Sequence, residues 1–105
     1  MIKVEFFGTD PIRGFHIQGH SEMNPEGPEI LCAAVSSVAY MTANAVTEVI
    51  GLKPVLLNKD GNMYLKVKTE QEAEQCRVLF DGLELHLREI AKDYPKYLKV
   101  RNSEV

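Results

Sequence analysis

Residues 2–7 alternate apolar and polar positions, with Ile2, Val4 and Phe6 on one side, the period-two signature of a half-buried strand. Gly8-Thr9-Asp10-Pro11 and Gly14 punctuate the chain before residues 15–19 resume the alternation, Phe15 and Ile17 inward, His16 and Gln18 outward. The period then changes. Leu31, Val35, Val38, Thr42, Ala45 and Val49 recur in steps of three and four, so a helix is expected from about residue 29 to residue 50, with Gly51 placed to end it in a left-handed cap. Residues 53–59 and 63–68 flank Asp60-Gly61, a hairpin signal because both central residues tolerate positive φ. A second helix opens on Thr69-Glu70-Gln71-Glu72, whose Thr and Glu spacing forms a capping box. Its apolar seam runs through Ala73, Cys76, Phe80, Leu83, Leu87, Ile90 and Tyr94 until Pro95 closes it. The order ββαββα predicts an α+β two-layer sandwich, two helices on one face of a four-stranded sheet, in a single domain over residues 1–105.

The first helix carries more apolar surface than one contact needs. Ile30, Ala34, Met41 and Val46 widen its stripe, and a helix apolar over most of its circumference is buried on more than one side. A second copy of the chain supplies that cover in a symmetric homodimer, with Met41 and Val46 as the expected partner-facing positions; the alternative cover is the long second helix. Residues 30–47 are uncharged, long enough for a membrane span. Ser36, Ser37, Thr42, Asn44 and Thr47 interrupt the run, which favours a buried helix and no membrane partner.

Composition narrows the partners. The chain is 26% charged and 45% hydrophobic, with a net charge of -3, an ordinary balance for a soluble domain. An acidic domain offers nucleic acid and anionic membrane no favourable field, so direct nucleic-acid binding is not expected. Lys92, Lys96, Lys99 and Arg101 cluster near the C-terminus, but Glu89 and Asp93 dilute them into a solvated face. The N-terminal residues include Lys3 and Glu5 and so lack a signal peptide's apolar core. Two cysteines are too few for a disulfide framework, and a reducing cytoplasm is the expected location.

The stretch GHSEMNPEGPEILCAAVSSV, residues 19–38, does not fit a purely structural reading. His20 stands at the end of a strand, and Cys32 follows at the head of the uncharged run. A helix N-terminus and a neighbouring imidazolium each favour a thiolate. If Glu29 caps the helix, Cys32 lies in its first turn; if Pro28 starts it, Cys32 lies in the second. The eleven intervening residues let the chain bring His20 back over the helix start. Ser36 is one turn from Cys32 and shares its face, whereas Asn44 is about 18 Å away along the axis and out of reach. Glu29 is close enough to stabilise an imidazolium, though its charge opposes a thiolate. The competing reading makes Cys32 a core thiol, since reduced cysteine is among the most buried residue types. Cys76, on the seam of the second helix, reads as core. No metal is expected, because His16, His20, Glu22 and Cys32 show no CxxC or HxxxH pattern.

Gly19-His20, a short Gly-containing loop, an acidic residue and then Ile30-Leu31-Cys32-Ala33-Ala34-Val35-Ser36 resemble the ribosomal-processing cysteine protease family of bacteria. The resemblance covers nearly the whole chain, including Asn44-Ala45-Val46 and the order of elements. It implies a small homodimeric cysteine endopeptidase, without cofactor, that removes an N-terminal extension from the precursor of large-subunit ribosomal protein twenty-seven. In that family's terms His20 is the base and proton donor, Cys32 the nucleophile and Ser36 the motif serine. Glu29 stands where the family usually has Asp, and its longer side chain makes a poorer helix cap. Ser21, Glu22, Met23, Asn24, Pro25, Glu26, Gly27 and Pro28 form the loop expected to close as a lid on the substrate tail. Pro25 and Pro28 stiffen it where relatives often carry glycine. The rival function is a non-enzymatic ribosome-assembly or peptide-binding module, with the loop clamping a tail and Cys32 structural.

Overall fold

The structure, a computed structural model of the chain, describes residues 1–20 and 30–104. Strands β1 (Ile2–Phe7) and β2 (Gly14–Gln18) pair antiparallel with Val4 opposite Ile17, as their alternation requires. Helix α1 (Ile30–Asn44) runs on as a π-helical segment, Ala45–Ile50. Gly51 ends it at φ 87°, its amide bonded to the Val46 carbonyl at 3.1 Å. Strands β3 (Val55–Lys59) and β4 (Asn62–Lys66) form the hairpin about Asp60-Gly61.

The sheet has five strands rather than four, in the order β3-β4-β2-β1-β5. The fifth, β5 (Leu98–Ser103), pairs parallel with β1 and comes from the tail read as a solvated basic face. The second helix is also two: α2 (Glu70–Gln75) and α3 (Arg77–Asp93) meet at Cys76, whose φ of -95° and ψ of 3° leave the helical region. The α+β assignment holds, and the element order becomes ββαββααβ. The α2 cap is built as its sequence suggests, Thr69 Oγ1 accepting from the Glu72 amide at 3.0 Å. Glu72 in return accepts from the amide of Lys68, one residue before the cap, at 2.9 Å.

The core lies between the helices and one face of the sheet. Ile2, Val4, Phe6, Phe15, Ile17 and Leu65 meet Leu31, Val35, Val46, Phe80, Leu83 and Leu87 there. Phe15 stacks edge-on against Phe80 with centroids 6.0 Å apart. A Cβ on Gly14 would lie 2.1 Å from the Leu65 carbonyl oxygen, so only glycine lets β2 sit this close to β4.

Two positions on the first helix exchange roles. Val46 is 0% exposed and Val49 82%, so Val46 is core and cannot face a partner. Val46 lies about three α-helical turns from Val35 and so shares its inner face, and the wider π turn beyond it brings Ile50 instead of Val49 onto the core. Met41 does face outward, at 55% exposure. By length and composition Ile30–Ile50 is apolar enough to cross a membrane, but its inner side, from Leu31 to Val46, packs into the sheet core.

Candidate active site

His20 owes its place to two glycines. Gly19 ends β2 at φ 96°, and a Cβ there would sit 2.3 Å from the Met1 carbonyl oxygen. Only glycine combines that left-handed turn with that approach. The Gly19 amide bonds to the Gly61 carbonyl at 2.9 Å, and the N-terminal ammonium donates to the His20 carbonyl at 2.5 Å. The backbone at His20 is thus held from β1 and from the β3–β4 hairpin at once. The imidazole lies over the hairpin tip, where a Cβ on Gly61 would be 2.8 Å from its Nε2.

Cys32 is the third residue of α1 as described, half-buried, with Leu31 and Val35 directed into the core on either side. The two registers considered for the helix start, a cap at Glu29 or a start at Pro28, fall on residues outside the described ones. His20 and Cys32 line the same cavity of about 140 Å³. Ser36 joins them one turn along α1. The sequence-predicted base, nucleophile and motif serine are therefore brought together; Glu29 and the loop of residues 21–28 lie outside the described residues. Asn44, at the far end of α1, takes no part in the cavity's wall.

The remaining wall combines Ile17 and Val35, which periodicity marks as inward, with residues that it did not single out. Ile17, Val35, Ala39 and Met63 make it apolar, while Tyr40 and Asn58 form a polar rim, the Asn58 amide donating to the Tyr40 hydroxyl at 3.0 Å. Asp60-Gly61 gave a turn signal, but nothing local places that turn over the start of a helix whose sequence begins thirty residues earlier. Cys76 is a different thiol altogether. It is fully buried, and burial, with the Glu72 carboxylate adding to it, pushes it above its ordinary range, so it stays protonated and inert.

Such a cavity has the chemistry of a thiol peptidase: a cysteine on a helix, an imidazole at a strand end, and an apolar wall with a polar rim for a peptide side chain. Known proteins agree. A ribosomal processing cysteine protease, Prp, from Bacillus subtilis (strain 168) is 30% identical over 94 residues, which are 85% of this chain and 84% of that protein. Two crystal structures of an essential ribosomal processing protease Prp from S. aureus share the fold. One, with a covalently linked product peptide, has a TM-score of 0.85 at 19% identity, covering 98% of this chain and 100% of its own. The other, with a substrate peptide, has a TM-score of 0.82 at 18% identity and the same coverage. The family model for cysteine protease Prp matches residues 1–99, strand β1 through the start of β5, and with both the thiol and the imidazole inside that span the chain belongs to the cysteine protease Prp family.

Proposed function

We propose that this protein is a cytoplasmic cysteine endopeptidase with a Cys32–His20 dyad, and that its substrate is the N-terminal extension of the precursor of large-subunit ribosomal protein twenty-seven. The observation that carries the reading is the single cavity lined by His20 from the end of β2 and by Cys32 from the start of α1. His20 takes the proton from Cys32 Sγ as the sulfur attacks the scissile carbonyl carbon. The resulting oxyanion is stabilised by amides of the first turn of α1. His20 then gives the proton to the leaving amine as the C–N bond breaks, and water, deprotonated by the same imidazole, releases the acyl group from Sγ. Ser36 hydrogen-bonds within the site, Glu29 orients the imidazolium, and the loop of residues 21–28 closes on the bound tail. The apolar wall of Ile17, Val35, Ala39 and Met63 suits a substrate whose cleaved extension ends in apolar or aromatic side chains. The test is incubation with the unprocessed ribosomal protein of the same cell, followed by intact-mass measurement. Two discrete fragments are expected, and an unchanged precursor mass would refute the assignment.

The active form is proposed to be a symmetric homodimer. Ile30, Met41 and Val49 on α1 and its π-helical extension are exposed apolar side chains, and this surface adjoins edge strand β3 through the Tyr40–Asn58 hydrogen bond. Light scattering at micromolar concentration should report twice the mass of one chain. Met41→Glu should reduce it to one chain with the thermal midpoint of folding little changed, since the side chain is exposed. A single-chain mass for the unmodified protein would remove the dimer from the proposal.

A further inference from the structure

The second face of the sheet, opposite the helices, has no role in the proposed peptidase chemistry. Cross-strand pairing fixes its composition. One row across the sheet reads Lys59, Asn62, Gln18, Lys3 and Lys99. The next reads Leu57, Tyr64, His16, Glu5 and Arg101, and the third Val55, Lys66, Gly14, Phe7 and Ser103. Among the described residues of the paired strands, five Lys and Arg side chains point from this face against one Asp or Glu. That one carboxylate, Glu5, is already paired with Arg101 at 3.2 Å. A net charge of -3 argues against nucleic acid only if it is evenly spread, and here the paired strands present a locally positive face.

Between the cations lie packed rings, Tyr64 tilted against Phe7 and edge-on to His16. Tyr64 packs against Phe7 with centroids 5.3 Å apart and against His16 at 5.6 Å, and Lys66 Nζ lies 5.8 Å from the Phe7 centroid. His16 is held by Asn62 at 2.6 Å, which fixes the ring plane. A depression of about 400 Å³ opens beside them, lined by Lys3, Glu5, His16, Gln18, Lys99 and Arg101. No described helix covers this face; beside its cations, Val55 and Leu57 on edge strand β3 are exposed apolar side chains.

From this juxtaposition we infer that the open face of the sheet binds single-stranded RNA. Bases stack on the Tyr64–His16–Phe7 platform, and the backbone phosphates run along Lys3, Lys99 and Lys66. Aromatic rings interleaved with cations on an open sheet are a recurring solution for single strands, because every base has a face to stack and every nucleotide a charge to neutralise. The exposed amide of Gln18, next to Lys3 in the first row, is placed to hydrogen-bond a 2′-hydroxyl, which favours RNA over DNA. A protease that acts during ribosome assembly would be kept near its substrate by such a surface; this link, unlike the RNA site itself, rests on the proposed substrate.

Fluorescence anisotropy with a labelled 12-nucleotide single-stranded RNA tests the inference. Binding should weaken with salt at a log–log slope of about -2 to -3, the value for three or four phosphate contacts. Tyr64→Leu should cost at least about fivefold in affinity, the low end of one lost stack. Lys3→Glu with Lys99→Glu should abolish binding at 150 mM salt, about the physiological ionic strength. All variants should keep their thermal midpoints and their rate on a peptide substrate, because none of these side chains lines the catalytic cavity. Equal affinity for the same sequence as DNA, or for a polyglutamate of matched charge, would overturn the proposal by showing a surface that reads charge alone. A change of oligomeric mass in the Lys3→Glu, Lys99→Glu variant would overturn it too, by assigning the face to a second copy of the chain.

Discussion

Cys32→Ser should lower cleavage of the ribosomal precursor on the order of 10³-fold or more, the scale on which removal of a catalytic nucleophile is felt, while the thermal midpoint stays within a few degrees. The reason for the separation is structural. Cys32 is only half-buried, on the cavity side of α1 between the core residues Leu31 and Val35, so a near-isosteric swap leaves packing intact. Cys76→Ser should do the reverse. It places a hydroxyl in a site with no exposure, at a cost of about 1–3 kcal/mol, which for a chain of this size lowers the midpoint by several degrees. Cleavage per folded molecule should be unchanged. Iodoacetamide labelling separates the same two thiols without mutation: Cys32 should be carboxamidomethylated first, and Cys76 only on unfolding. A Cys32→Ser protein that still cuts would dismiss the dyad, and early labelling of Cys76 would mean that the core is not packed as described.

Much of this arrangement was legible because the signals are local. The alternation of residues 2–7, the Thr69–Glu72 cap, the left-handed Gly51 and the Asp60-Gly61 hairpin each depend on a few neighbours, and the spacing of Gly19-His20 and Cys32 was enough to suggest a thiol and its base. What escaped was set at a distance. Strand β5 reads as a diluted basic tail until its parallel partner, β1, is known. Ile2 pairs with Leu98 across almost the whole chain, and pairing then turns Lys99 and Arg101 into one row of an ordered face. The π segment is another case, since one wide turn puts Ile50 rather than Val49 against the core and no residue type there announces it. The break at Cys76 is a third. The seam from Ala73 to Phe80 keeps its spacing across the break, so periodicity alone passes over it.

The placement of His20 gives the second large effect. Gly19→Ala forces an L-residue to φ 96° and drives its Cβ to 2.3 Å from a backbone oxygen of Met1, which has no side-chain freedom with which to yield. The start of β1 and the end of β2 must part, at a cost of about 2–4 kcal/mol. A fall of about 10 °C or more in the thermal midpoint is expected, together with loss of cleavage, because the strand end that carries His20 moves. Gly61→Ala separates the two consequences. Its φ of 67° is a region alanine enters for about 1 kcal/mol, and the atom its Cβ meets is Nε2 of His20 at 2.8 Å, the far end of a side chain that can swing away. The fold should therefore survive with a small drop in midpoint, while the imidazole is pushed off the hairpin tip. A displacement of about 1 Å in a catalytic group costs on the order of 10²-fold, so cleavage should fall by that amount with little change in substrate affinity. Wild-type cleavage by Gly61→Ala would mean that the imidazole works from some position other than the one above Gly61, and the geometry assigned to the base would have to be withdrawn even if Cys32 remained the nucleophile.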